Sequence, residues 1–315
     1  MPVQIRPFVR GDRDQLAALV NAHVAAVVPN VSVSVQALMS QLERVPGEFI
    51  VDPWVTARST LVAVQRDRLV AAAHLLRYAD SADVGESYRD SGEIRWLVWW
   101  PPAPFWPDSV AAADALAAAS LARLAAWRVA RVHADGTLPA PGVYGVPEQW
   151  PHVRDVLHRA GFRGDRVESV HLARVDHLPP PRPSPIDGIR AVRSVGACGT
   201  RIAAVVPAQS GGREIGYVEV DTTLDGGVRF ARAHGLADVG NLLVDESCRR
   251  RGVGTWLMGQ ARSWLELGGS TGLLAYTSPD DETDSAEAAF LAATGFEVLT
   301  RTLRGLTLES AGEPA

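Results

Sequence analysis

The stretch Val244-Asp245-Glu246-Ser247-Cys248-Arg249-Arg250-Arg251-Gly252-Val253-Gly254-Thr255 holds the densest set of groups able to do chemistry. Three arginines supply forked, charge-assisted donors. Gly252 and Gly254 leave the backbone open to close approach. The apolar run Leu242-Leu243-Val244 precedes them and predicts a buried strand. A second apolar run, from Trp256-Leu257-Met258 to Leu265, follows with helical spacing. Such a turn brings the unpaired N–H groups and positive partial charge of a helix start to one point. The chemistry it suits is the binding of a pyrophosphate. A Walker loop is excluded, because that needs Gly-Lys-Ser/Thr and the chain contains no lysine. A dinucleotide fingerprint is also excluded, because the turn has only Gly-x-Gly.

The order Arg249-x-x-Gly252-x-Gly254 after a strand resembles the acetyl-CoA signature of the GNAT superfamily of N-acetyltransferases. The flanks agree over about Gly188 to Leu308. Ile215 to Val220 reads as a strand, Asp221 to Gly227 as a loop with the turn signal Asp225-Gly226, and Ala237 to Val244 as the next strand. Gly272 to Thr277 reads as a short strand. Asp284 to Thr294 reads as a helix stopping at Gly295-Phe296, and Val298 to Leu308 as alternating strands. The resemblance implies an α/β fold: a mostly antiparallel mixed sheet flanked by helices. It implies acetyl-CoA as acyl donor, no metal, and an amine acceptor that is a small molecule or a peptide. It places Leu242, Leu243, Val244, Arg249, Arg250, Arg251, Gly252, Val253, Gly254 and Thr255 along the acetyl-CoA. Asp284 stands where the family commonly has a pantetheine-binding asparagine, and Phe290 lies on the same helix.

An amine that attacks a thioester must first be neutral, so a base or water chain has to take its proton. The tetrahedral oxyanion needs a donor. In the family that donor is usually a backbone N–H where a bulge opens the fourth strand; here Asn241 or Gly240 would mark it. The carboxylate matching the family's usual base is Asp238. Glu219 and Asp221 on the preceding strand are alternatives that could also attract a cationic acceptor, and loop His234 has a suitable pKa range. For the acid, the family's frequent tyrosine is replaced by Leu291, which carries no proton to give. Tyr276, Ser278 or water would then protonate the leaving thiolate. Cys248 lies beside the arginines with no histidine partner.

The first half repeats the same pattern. Val3 to Arg6 reads as a strand, Asp12 to Val27 and Ser34 to Arg44 as helices, and Thr60 to Gln65 with Leu69 to Tyr78 as a hairpin. Glu93 to Trp100 is a strand, Ser109 to Arg131 and Pro147 to Ala160 are helices, and the last again stops at Gly161-Phe162. A tandem arrangement follows: residues 1–178 as a degenerate GNAT-like domain, 179–187 as a proline-rich linker, and 188–310 as the acetyl-CoA-binding domain. The first half reads Trp99-Trp100-Pro101-Pro102-Ala103-Pro104-Phe105-Trp106-Pro107-Asp108 in place of the arginine-glycine turn. Proline has no N–H to offer a phosphate, and Asp108 stands where the anion would arrive, able instead to cap the helix. The four aromatics pack in the core or form a pocket. In the second half only Arg193 to Thr200 separates the first two strands, so the two helices that cover the family's acceptor site are missing. The first half, or a second copy in a homodimer, could supply that wall.

A chain of 315 residues fits two domains. A formal charge of -5 argues against general nucleic-acid binding. Cys198 and Cys248 make neither a disulfide framework nor a metal site, which points to a reduced, cytoplasmic setting. No signal pattern opens the chain, and the alanine-rich stretch Val110 to Ala130 is interrupted by Asp114, Arg123 and Arg128, as expected of a helix outside the membrane. Two function classes fit. One is an acyl-CoA-dependent N-acetyltransferase acting by direct attack; the other is a catalytically weak acyl-CoA-binding sensor or regulatory protein.

Overall fold

A computed structural model of the chain describes residues 2–43, 54–101, 108–134, 136–138, 143–208, 211–222, 235–278 and 282–308, without the side chains of 208, 211 and 282–285. The first half runs β1 (Gln4–Pro7), α1 (Arg13–Val27), α2 (Val35–Leu42), β2 (Val55–Gln65), β3 (Arg68–Tyr78), β4 (Ser91–Trp99), α3 (Ser109–Ala126), β5 (Arg131–His133), β6 (Val146–Pro147), α4 (Pro151–Arg159), β7 (Phe162–Arg163) and β8 (Arg166–Arg174). The second runs β9 (Arg190–Val195), β10 (Thr200–Ala208), β11 (Gly211–Asp221), β12 (Leu236–Val244), α5 (Val253–Leu267), β13 (Gly272–Thr277), α6 (Glu282–Ala293), β14 (Glu297–Arg304) and β15 (Thr307–Leu308). The fold is α/β, with two mixed sheets flanked by helices.

Two compact units divide the chain between Val167 and Glu168 and again between Thr300 and Arg301. The first unit holds the sheet β1-β2-β3-β4-β5-β15-β7. Ser34 caps α2 by accepting from the Ala37 N–H at 3.0 Å. Pro151 opens α4, where its missing N–H needs no partner. Among the described helices, α3 alone is long and apolar enough to cross a membrane. Its Ala112, Ala113, Leu116, Ala117, Ser120 and Leu124 are buried, the stripe of a core-facing helix.

The second unit orders its strands β14-β8-β13-β12-β11-β10-β9. Val253, Leu257, Ala261 and Leu265 form one buried stripe along α5, in a single apolar cluster with Ile202, Ala204, Ile215, Val218 and Val220 of β10 and β11. Burying each larger side chain contributes roughly 1.5–3 kcal/mol. As expected from the short spacing, β9 and β10 join directly as a hairpin, with Val195 opposite Thr200. No helix lies between β9 and β10 along the chain.

Two features depart from the expected domain limits. First, the halves exchange strands. β8 pairs with β13, from Arg174 opposite Gly272 to Ser169 opposite Thr277. The alternating segment after Val298 breaks at Gly305, and β15 beyond it pairs with β5 and β7 of the first sheet. Strand pairing, which is non-local, thus overrides the boundary that proline content suggests. Second, the expected linker at 179–187 lies along α5 within the second unit. Arg262 Nη1 donates to the Leu178 carbonyl at 2.8 Å. A Cβ on Gly259 would stand 2.9 Å from the Pro180 carbonyl oxygen, and one on Gly252 3.4 Å from Pro185. An extended proline segment offers few donors but packs well. Gly259→Val should therefore force this segment off α5 and destabilise the chain by about 1–3 kcal/mol, as overpacking does. Urea unfolding checks this, and an unchanged midpoint would mean the segment does not pack.

Candidate active site

The turn after β12 places its backbone for an anion. Gly252 is the N-cap of α5 with φ 82°, a left-handed conformation that glycine adopts without strain, and it brings no capping side chain. The first intrahelical bond runs from the Trp256 N–H to the Gly252 carbonyl at 3.0 Å. The N–H groups of Val253, Gly254 and Thr255 thus lack an acceptor within the helix. Arg250, itself left-handed at φ 61°, and Arg251 are exposed, with no protein partner among the described residues. Arg249 differs, because its Nε donates to the Val244 carbonyl at 3.1 Å and so ties the turn together. Two free guanidiniums beside an uncapped helix start fit a pyrophosphate.

The structure gives several predicted residues other tasks. Gly254 faces Phe290: a Cβ there would stand 3.1 Å from its ring, so this glycine lets α6 approach α5. Val253 is buried and can offer only its N–H, and Leu242 and Val244 pack against the core. Leu243 is exposed on the opposite face, and Thr255 is exposed. Cys248 is a free thiol buried in the core. Leu291, at the family's tyrosine position, is also buried in the core. Asp284 lies in α6, but its side chain is outside the described residues, as are His234, Asp225-Gly226, Phe105 and Trp106.

The catalytic candidates meet where β12 leaves β13. These strands pair in parallel only from Leu236–Gly272 to Asp238–Leu274. Gly240 then bulges: Asn241 is opposite Glu219, but Val239 is opposite Val220. Asp238 closes the paired segment, opposite Asp221 on β11. Burial first, and the neighbouring Asp221 second, raise its pKa to about 6. Tyr276, two residues beyond Leu274, shares the face of Asp238 by register and is half-buried. Glu219 is not free to act as a base. It accepts from Asn241 at 2.7 Å and Arg201 at 2.9 Å, and it is buried. The Asn241 bond and then, against burial, those of Arg201 and the Cys198 N–H hold its pKa below the ordinary carboxylate range.

The first unit repeats this backbone with different contents. β4 pairs with β5 only from Ser91 to Glu93, and Arg95 bulges just as Gly240 does. Glu93 stands at the register of Asp238 but is fully buried. It accepts a short bond from the Tyr78 hydroxyl, and Arg95 lies 3.4 Å away. At the start of α3, Asp108 does not cap the helix; its Oδ2 accepts from Gln65 at 3.1 Å. Trp99 is buried edge-on against His152 rather than lining a pocket, and His152 in turn bonds His23 at 3.0 Å. The sequence signal that was missed is the equivalence of Glu93 and Asp238, because their neighbours differ completely.

The sequence profile of the Acetyltransferase (GNAT) domain family matches residues 202–298. No curated protein matches the chain. Among solved structures, a tandem GNAT protein from the clavulanic acid biosynthesis pathway is 14% identical, with a TM-score of 0.61 over 100% of both chains. A GCN5-related N-acetyltransferase from Sphaerobacter thermophilus is 15% identical, with a TM-score of 0.61 over 97% of this chain and 94% of that one. A GCN5-related glucosamine N-acetyltransferase region of a fungal multi-domain β-N-acetylglucosaminidase is 13% identical, with a TM-score of 0.58 over 97% of this chain and 38% of that one. At these identities the likeness is one of fold. Residues 202–298 thus match the acetyltransferase domain of the GNAT superfamily. The whole chain has the tandem GNAT fold.

The raised pKa of Asp238 has a sign that can be measured. Its folded value lies above the unfolded one, so ionisation near pH 6 disfavours the folded state. Asp238→Asn should raise the melting temperature at pH 8 and leave it nearly unchanged at pH 4. Equal shifts at both pH values would show that the carboxylate is not held against its charge.

Proposed function

We propose that the second unit moves an acetyl group from acetyl-CoA to an amine by direct attack, and that the first unit binds no CoA. The observation that carries this reading is the uncapped start of α5, with free Arg250 and Arg251, beside a bulged strand bearing Asp238. Arg250, Arg251 and the N–H groups of Val253, Gly254 and Thr255 would hold the pyrophosphate. Asp238 takes the amine proton, directly or through water. Asp221 beside it favours an acceptor that arrives as a cation. A backbone N–H after the Gly240 bulge supports the oxyanion. Tyr276 stands on the correct face to return a proton to the leaving thiolate. In the first unit Asp108 would repel the pyrophosphate, and Glu93 is sealed by Tyr78.

Calorimetric titration with acetyl-CoA tests the binding half. One site per chain is expected, lost in Arg250→Glu; two sites would overturn the inactive first unit, and none would overturn the reading altogether.

Coenzyme A release against a panel of amines tests catalysis. Turnover should rise with pH through about 6 as Asp238 ionises, then level off. Asp238→Asn should lower kcat by roughly 100-fold or more, the scale of a general base, while leaving acetyl-CoA affinity nearly unchanged. Binding without release on any amine would favour a sensor instead.

A further inference from the structure

A bulge in a strand puts one residue off the ladder and bends the chain, so its place has to be held by something else. In the first unit, α1 packs on β3 and β4, and His74 stacks on Trp96 beside the bulge, with ring centroids 5.6 Å apart. The second unit has no helix between β9 and β10 and puts Glu219 at the register of His74.

Glu219 gathers donors from three separate elements. Asn241, the residue after the bulge, donates Nδ2 to Oε2 at 2.7 Å. Arg201 of β10 donates Nη1 to Oε1 at 2.9 Å, and its guanidinium also reaches Glu214 at 2.6 Å and lies over the Tyr217 ring, 3.3 Å from the centroid. The Cys198 N–H, in the β9–β10 turn, donates to Oε2 at 3.3 Å. That turn lies directly on the bulge. A Cβ on Gly196 would stand 2.6 Å from Glu219 Oε1, and one on Gly240 would stand 2.3 Å from the Cys198 Cβ. One carboxylate with 1% exposure therefore ties β10, the turn and β12 together.

We propose that Glu219, clamped by Arg201 and Asn241, is a positioning residue. It fixes the Gly240 bulge, and with it the carboxylate of Asp238 and the N–H groups of Leu242 and Leu243, a task that helix packing shares in the first unit. The effect on turnover rests on the transferase reading above; the hold on the bulge does not.

Hydrogen–deuterium exchange on the full chain tests the hold directly. In Asn241→Ala and Glu219→Ala, amides 240–243 should exchange about tenfold faster or more, while those of α5 are unchanged, as for a local opening. Unchanged exchange at 240–243 overturns the clamp. Should the alanine variants loosen α5 as well, Glu219→Gln and Arg201→Lys preserve the shape and give the same comparison. On an amine that the wild type accepts, Glu219→Gln should lower kcat by roughly 10- to 100-fold, the scale of a small misplacement. Its KM for acetyl-CoA and its pH limb should stay where they are. A displaced or lost limb would make Glu219 the base itself and overturn the positioning role. A wild-type chain that binds no acetyl-CoA would sink the transferase reading, while the exchange comparison would still decide the clamp.

Discussion

The pairing of β12 with β13 stops after Asp238, and everything in the candidate site depends on that stop. A parallel ladder continued to Val244 would use up the backbone N–H groups along one edge of β12. The extra residue at Gly240 shifts the register with β11, just beyond the point where pairing with β13 ends. Asp238 ends up at the point of divergence, half-buried, where burial and the neighbouring Asp221 raise its pKa to about 6. The same strand leads straight into the turn that opens α5. One irregularity therefore sets where Asp238, the unpaired edge of β12 and the turn at Gly252 stand relative to one another.

The two units show how far contents can differ on one backbone. Both have the short parallel pairing and the bulge, at Arg95 and at Gly240. One has a carboxylate closed over by a tyrosine, and a carboxylate at its helix start. The other has a half-buried carboxylate beside Asp221, and a bare glycine at its helix start. The difference is electrostatic: one helix start is uncapped beside the exposed Arg250 and Arg251, and the other carries the carboxylate of Asp108.

Much of the local structure could be read from residue order. The strand before Val244, the helix from Val253, the repeated Gly-Phe stops and the direct β9–β10 connection all follow from hydrophobic spacing and glycine placement, which act over a few residues. The role of Glu219 could not be read this way. Its partners Arg201, Cys198 and Asn241 are distant in sequence, and only strand register brings them to one carboxylate. The close packing of Phe290 on Gly254 was hidden for the same reason, since that ring belongs to α6.

By itself the sequence determined the elements, their tandem order and the arginine-glycine turn before α5, because each rests on short-range periodicity, capping and charge. Only the tertiary structure decided which carboxylate has a raised pKa and which is clamped, because burial and neighbouring charge are set by non-local packing. It also decided that the proline-rich segment lies along α5, and that β8 and β15 trade sheets. The free energy of pairing a strand depends on the edge it meets, and that edge is not written in the strand's own residues.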